Sequence, residues 1–186
     1  MFEIVKNGNV TSPKGYIAGA TYAGIKSFTE DALDIGILAS EKLAAVAGTF
    51  TTNKVVSPSV TVTKSRVQIG TSMGVVANSG CANTCVGSQG IKDAEEMAGL
   101  ASKQINASEH EMLVCSTGII GVELPLFLTL FKTLNPSFLG KPRSKIIASK
   151  LSCFIIISAV TPSLIHSVTK LSCFKPTRLR HYLEIP

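Results

Sequence analysis

The sequence predicts an α/β fold over residues 1–125, and three observations carry that prediction. Short apolar runs rich in Ala, Val and Ile, bounded by polar residues, recur at strand length. One segment, near 88–106, instead repeats its apolar residues at three- and four-residue steps, as one helix face requires. That segment lies between two strand-like runs, and strand, helix, strand in close succession is the local signature of an α/β layer. At 186 residues the chain has room for one domain with a real core and too little for two large ones.

In chain order, "DALDIGILAS" (31–40) and "KLAAVAGTFTTN" (42–53) read as two strands separated by a turn around Ser40–Lys42. "SVTVTKS" (59–65) alternates, and reads as a strand or as a strand entering a helix. "TSMGVVANSG" (71–80) is an apolar strand closed by an Asn-Ser-Gly turn signal. In the helix, Ile91, Ala94, Ala98, Ala101 and Ile105 form the buried face. Ser88 is expected to cap it, with Asp93, Glu95 and Glu96 toward the positive end of its dipole and Lys103 toward the other. "EMLVCS" (111–116) is the returning strand.

Composition excludes several function classes. A hydrophobic content of 45% with 16% charged residues excludes global disorder. The net charge of +6 belongs to the last third of the chain: residues 1–125 balance to −2 and residues 126–186 to +8. Those basic residues form neither a helical stripe nor an aromatic-interleaved pattern, so no nucleic-acid partner is expected. The start carries no apolar leader and the five cysteines are odd in number, which points to a cytoplasmic protein without a disulfide framework. Cys81 and Cys85 lack the two-residue gap of common zinc pairs and have no His nearby, so no metal site is expected. The longest apolar run of the tail, "LSCFIIISAV" (151–160), is half of what a membrane-spanning helix needs, and no membrane partner is expected.

Five stretches carry a specific resemblance: "GYIAGATYAGIK" (15–26), "DALDIGILAS" (31–40), "AAVAGTFTTNKVVSPSV" (44–60), "VVANSGCANTCVGSQGIKDAEEMA" (75–98) and "STGIIGVELP" (116–125). In this order and spacing they resemble the N-terminal part of the bifunctional ornithine acetyltransferase / N-acetylglutamate synthase family of arginine biosynthesis. The resemblance implies a layered αββα-type sandwich, here incomplete. It also implies a precursor that cleaves itself before an internal threonine, which becomes the nucleophile at the start of a second subunit. The substrates so implied are N-acetylornithine and glutamate, with no cofactor, acetyl-CoA serving some members as a co-substrate. Two such subunit pairs are expected to assemble.

The family pattern places its oxyanion hole on Thr117 and Gly118. Acyl transfer builds negative charge on a former carbonyl oxygen; a Thr hydroxyl and a Gly backbone N–H can both donate to it, and glycine lets the backbone come close. From spacing alone "STGIIG" would be a strand-to-loop turn whose hydroxyls satisfy backbone groups; the four companion motifs decide for the oxyanion role. "NSGCANTC" (78–85) reads as a turn feeding the helix, the other reading being a backbone-rich loop near the substrate. Cys81 stands where the family usually has asparagine. Cys85 and Cys115 read as small packed hydrophobes, Lys26 and Lys54 as solvated, and His110, His166 and His181 form no constellation.

The resemblance then stops. Of 15 glycines only Gly140 lies beyond residue 125, no Asp follows Asp93, and "KLSCF" occurs at both 150–154 and 170–174. No Ala-Thr-Met context is present, so none of Thr129, Thr133, Thr161, Thr169 and Thr177 is assigned as nucleophile. Residues 126–186 are therefore expected to be an unrelated, irregular tail, as a frameshift, a truncated gene or appended out-of-frame residues would produce. The expected protein is an N-acetyltransferase chain truncated before its nucleophile and inactive alone. The alternative is a non-enzymatic chain whose basic, apolar tail binds a membrane or a partner.

Overall fold

The computed structural model describes residues 8–25 and 33–125, together with the backbone of 155–158. Strand β1 (Tyr16–Thr21) leads to a long strand β2 (Ile35–Gly48), helix α1 (Pro58–Val67), strand β3 (Thr71–Cys81), helix α2 (Gln89–Gln104), a 3-10 turn (Glu109–Glu111) and strand β4 (Met112–Ile119); Ile155–Ser158 forms β5. The sheet runs β1-β2-β3-β4, with β5 added to β2. β1, β2 and β3 are antiparallel neighbours, whereas β3 and β4 are parallel and joined through α2. A parallel pair needs such a crossover, which is why one helix separates these two strands in sequence.

The core lies between one face of the sheet and the helices. Ile35, Ile37 and Ala39 of β2, Val76 of β3, and Met112 and Val114 of β4 meet Val62 of α1 and Ala94, Met97, Ala98 and Ala101 of α2. Burying a side chain the size of Met97 contributes about 1.5–3 kcal/mol, and the alanines let α2 sit close to the sheet. Ile91 and Ile105 pack at its margins, so the predicted helix face is the buried one.

Five sequence expectations are corrected. The two strands expected around a turn at Ser40–Lys42 are one strand: pairing with β3 shifts register between Ala39 and Ala44, and Glu41, Lys42 and Leu43 bulge into solvent without reversing the chain. A polar dipeptide bends the edge of a strand as readily as it turns it. "SVTVTKS" is helix, not strand; Pro58 at its first turn pre-sets the helical φ and outweighs the β-branched alternation. Ser88 does not cap α2: at φ −70°, ψ −22° it already continues the helix, so its hydroxyl makes no bond to the first-turn amides. Nor does the first turn hold an acid; Asp93 instead accepts from Gln89 Nε2 at 2.8 Å. The tail, expected to be irregular, contains β5, where three consecutive β-branched residues favour extended backbone.

β4 has no strand on its outer side among the described residues, and α1 supplies the missing partners. Thr63 Oγ1 accepts from the Val114 N–H at 2.9 Å and donates to the Val114 carbonyl at 2.7 Å. Arg66 Nη1 donates to the Met112 carbonyl at 2.6 Å, and Nη2 reaches Glu109 Oε1 at 3.3 Å. Burial pushes the Arg66 pKa down, while Glu109 and Glu95 hold it up, and the guanidinium remains a cation.

Replacing Thr63 by Val keeps the shape and orphans both Val114 groups. Urea unfolding is expected to show a loss of about 1–3 kcal/mol, with Thr63→Ser recovering more than half of it.

Candidate active site

The two residues singled out by sequence, Thr117 and Gly118, lie at the C-terminal end of β4, opposite Ser79 and Gly80 of β3. Gly118 has φ +137° and Gly80 φ +109°. A Cβ at Gly118 would lie 2.2 Å from the Gly80 carbonyl carbon and 2.5 Å from the Cys81 nitrogen. The two strands touch backbone to backbone here, and no other residue fits at 118. Thr117 is half-buried, and residues 118–120 are open to solvent.

The loop from Ala82 to Ser88 holds this strand end from one side. Ala82 N donates to the Ile119 carbonyl, and Gly121 N donates to the Thr84 carbonyl, each at 2.8 Å. Asn83 N donates to Ser116 Oγ at 2.9 Å, and Ser116 Oγ in turn donates to the Cys81 carbonyl at 3.3 Å. Asn83 is fully buried and itself anchored, its Nδ2 to the Gly90 carbonyl at 2.7 Å and its carbonyl by the Ser57 hydroxyl at 2.7 Å. "NSGCANTC" thus feeds α2, as expected, and also clasps residues 116–121. Asn78 and Asn83 each carry a buried Oδ1 with no hydrogen-bond partner among the described residues.

Cys81 takes part in the clasp. Its thiol donates to the Val122 carbonyl at 3.3 Å, with the Glu123 carbonyl at 3.6 Å. Burial pushes its pKa up, so it serves as a neutral donor and not as a nucleophile. Cys115 is buried, as expected for a packed hydrophobe. Cys85 corrects that expectation: it is exposed, at φ +61° in the loop crest, where its side chain points away from any core. Lys54 and His110 are exposed, outside any cluster. Lys26, His166, His181, Thr129, Thr133, Thr161, Thr169 and Thr177 lie outside the described residues.

A third wall comes from a residue that sequence reasoning passed over. Asp34 is fully buried at the start of β2, and its backbone carbonyl accepts from Ser79 N at 2.8 Å. Its carboxylate takes the Ala23 and Ile25 amides, both at 2.6 Å. Register places Ile35 beside Asn78 and Asn78 beside Ser116, so the end of β1, the start of β2 and the ends of β3 and β4 share one end of the sheet. The sequence offered no signal for Asp34 beyond an acid inside an apolar run. Among the described residues no group of His, Cys, Asp or Glu could hold a metal ion, and no helix is long and apolar enough to cross a membrane.

The ArgJ family model matches residues 17–135, which include every element up to β4 and the clasped strand end. The chain belongs to the ArgJ family. It is 39% identical over 122 residues to the arginine biosynthesis bifunctional protein ArgJ of Caldanaerobacter subterraneus, covering 66% of this chain and 30% of that protein. The Geobacter sulfurreducens protein of the same name is 47% identical over 113 residues, covering 61% and 28%. Among solved structures, ArgJ of Bacillus halodurans superposes with a TM-score of 0.61 at 34% identity, covering 66% of this chain and 63% of that one. Ornithine acetyltransferase of Mycobacterium tuberculosis, complexed with ornithine, gives 0.61 at 35% identity, covering 65% of each. The mixed α/β fold expected from sequence is thus that of ArgJ structures. The chain spans about 30% of the length of the curated relatives it matches.

Two outcomes check this geometry. Gly118→Ala is expected to destabilise the fold by about 2–3 kcal/mol, read as a lower denaturation midpoint, because the new methyl must displace the Gly80–Cys81 backbone. With iodoacetamide at pH 8, peptide mapping is expected to find Cys85 alkylated at least tenfold faster than Cys81 or Cys115 (about 1.4 kcal/mol in apparent barrier).

Proposed function

We propose that this ArgJ chain supplies the oxyanion half of an N-acetyltransferase site. In the reaction an acetyl group moves from N-acetylornithine, or from acetyl-CoA, to glutamate, as the arginine-biosynthesis names of its relatives suggest. Thr117 gives a hydroxyl donor and Gly118 a backbone N–H to the oxygen that becomes negative in the tetrahedral intermediate. The nucleophilic threonine, whose own N-terminal amine would act as base, belongs to a second subunit that this chain does not contain. Residues 126–186 are read as a tail that leaves the family's path, the family match itself running on to residue 135. The intact enzyme is read as cytoplasmic, self-cleaving and built from two subunit pairs, without a cofactor.

The observation that carries the reading is the backbone of β4. Thr63 takes both the N–H and the carbonyl of Val114 from the outer edge, so by strand alternation residues 112, 114, 116 and 118 turn their amides outward. On the same alternation the Gly118 N–H is expected to turn outward too, away from β3 and toward a ligand. The clasp around Ser116–Gly121 supports it further, because a donor must already be in place when charge develops.

The full chain with N-acetylornithine and glutamate is expected to form no N-acetylglutamate and to show no self-cleavage. Acetyl transfer by the pure chain would overturn the missing-nucleophile reading. Mixed with the part of the Bacillus halodurans relative that it does not cover, it is expected to gain activity, and Thr117→Val is expected to lower that activity by about 10²–10³-fold. Translating the gene downstream of codon 126 in all three frames gives a second check, since a frameshift leaves an Ala-Thr-Met context in another frame.

A further inference from the structure

β2 is longer than the strand beside it. β1 pairs with it only from Ile35 to Ser40, and beyond Tyr16 the last contact is the Glu41 N–H on the Gly15 carbonyl at 2.8 Å. Past the bulge, Ala44 and Ala45 keep β3 on one side through Ser72 and Thr71, and Val46 N donates to the Gly70 carbonyl at 3.0 Å. The other side of Ala45–Gly48 would be a bare edge. β5 occupies it, antiparallel, with Ala45 beside Ser158, Val46 beside Ile157, Ala47 beside Ile156 and Gly48 beside Ile155.

The hydrogen-bonding parity agrees with this placement. Because Val46 turns its amide toward Gly70, alternation turns the amides and carbonyls of Ala45 and Ala47 toward β5. Ala47 and Ile156 then form a hydrogen-bonded pair, while Val46 and Ile157 form a close, non-bonded one. The sequence of the added strand suits an edge: three successive isoleucines within a stretch, 151–169, that holds no Lys, Arg, Asp or Glu. Such a stretch left open would seek any free edge, including that of another molecule. β5 also lies beyond residue 135, where the family match ends, so the added strand is a property of this chain and not of the matched region.

We infer that the Ala45–Gly48 edge of β2 is a strand-addition surface, and that the chain fills it in cis with its own Ile155–Ser158. The tail thereby acts as a plug that keeps two aggregation-prone segments, an open edge and an uncharged isoleucine run, paired with each other. The inference is independent of the acetyl-transfer reading, because it uses no residue of the candidate site.

Hydrogen exchange on the unmodified full chain tests it first. The Ala47 amide is expected to exchange at least about 100-fold more slowly than an open-chain amide, in step with Val46; open-chain exchange at Ala47 with Val46 protected overturns the proposal. A disulfide test then identifies the occupant. Val46→Cys with Ile157→Cys places the thiols on a non-bonded pair, where antiparallel spacing fits disulfide geometry. Mild oxidation followed by peptide mapping is expected to find positions 46 and 157 joined within one monomer. A link found only in dimers, or no link between these positions, overturns the assignment in cis. A pairing of β2 with a second copy would give the dimer outcome.

Discussion

The arrangement depends on how one open strand edge is satisfied. β4 ends the sheet, yet its outward backbone groups are buried and would each cost about 1–3 kcal/mol if left unmade. α1 answers with side chains instead of a strand: the Thr63 hydroxyl bridges both groups of Val114, and the Arg66 guanidinium takes the carbonyl of Met112. A helix can do this only when its residues three apart face the strand, as 63 and 66 do on one helical face. The same contact fixes the height of α1 over the sheet, and with it Val62 in the core. Pairing by side chains also stops short of residue 118, which a neighbouring strand would not.

The far end of β4 is held by a different device. The backbone contact at Gly80 and Gly118 needs two residues without side chains, both at positive φ. Around it, Ala82, Asn83, Gly121 and the Cys81 thiol tie the strand end to the loop leading into α2. The Cys81 thiol adds a weak donor to this clasp.

Much of this was legible in the sequence, and the reasons for the rest are specific. α2 was readable because Ile91, Ala94, Ala98, Ala101 and Ile105 keep a single period against a core of fixed direction. Thr117 and Gly118 were readable only through the companion motifs, since a Ser-Thr-Gly turn has no unique local meaning. β-branched alternation in "SVTVTKS" imitates a strand, and of the two readings, strand or strand entering a helix, only the helical part stands; Ser57-Pro58 just before it is the signal of a helix start. The bulge in β2 was taken for a turn because Glu41 and Lys42 are polar in either case, and only pairing with β3 separates the two. The roles of Thr63, Arg66 and Asp34 were out of reach, for each depends on a partner 9 to 51 residues away.

The two faces of the sheet present different surfaces at the Thr117 end. Even-numbered residues of β4, Met112 and Val114, point into the helix layer. By alternation Leu113, Cys115 and Thr117 belong to the opposite face, in register with Val75 and Ala77 of β3 and with Leu38 and Gly36 of β2. That face is apolar along its length, and a layered α/β domain covers such a face with further structure. In relatives about twice as long there is ample chain to do so. Thr117 is the last residue of this row, where the apolar surface gives way to the solvent-exposed loop. On the proposed reading, a nucleophile that shares an oxygen with Thr117 would approach across the second face, because the helix layer closes the first. Leu113, Cys115 and Ala77 of this face are already buried, so on that reading the element carrying the nucleophile would meet the site at the Thr117 end of the row, where exposure begins.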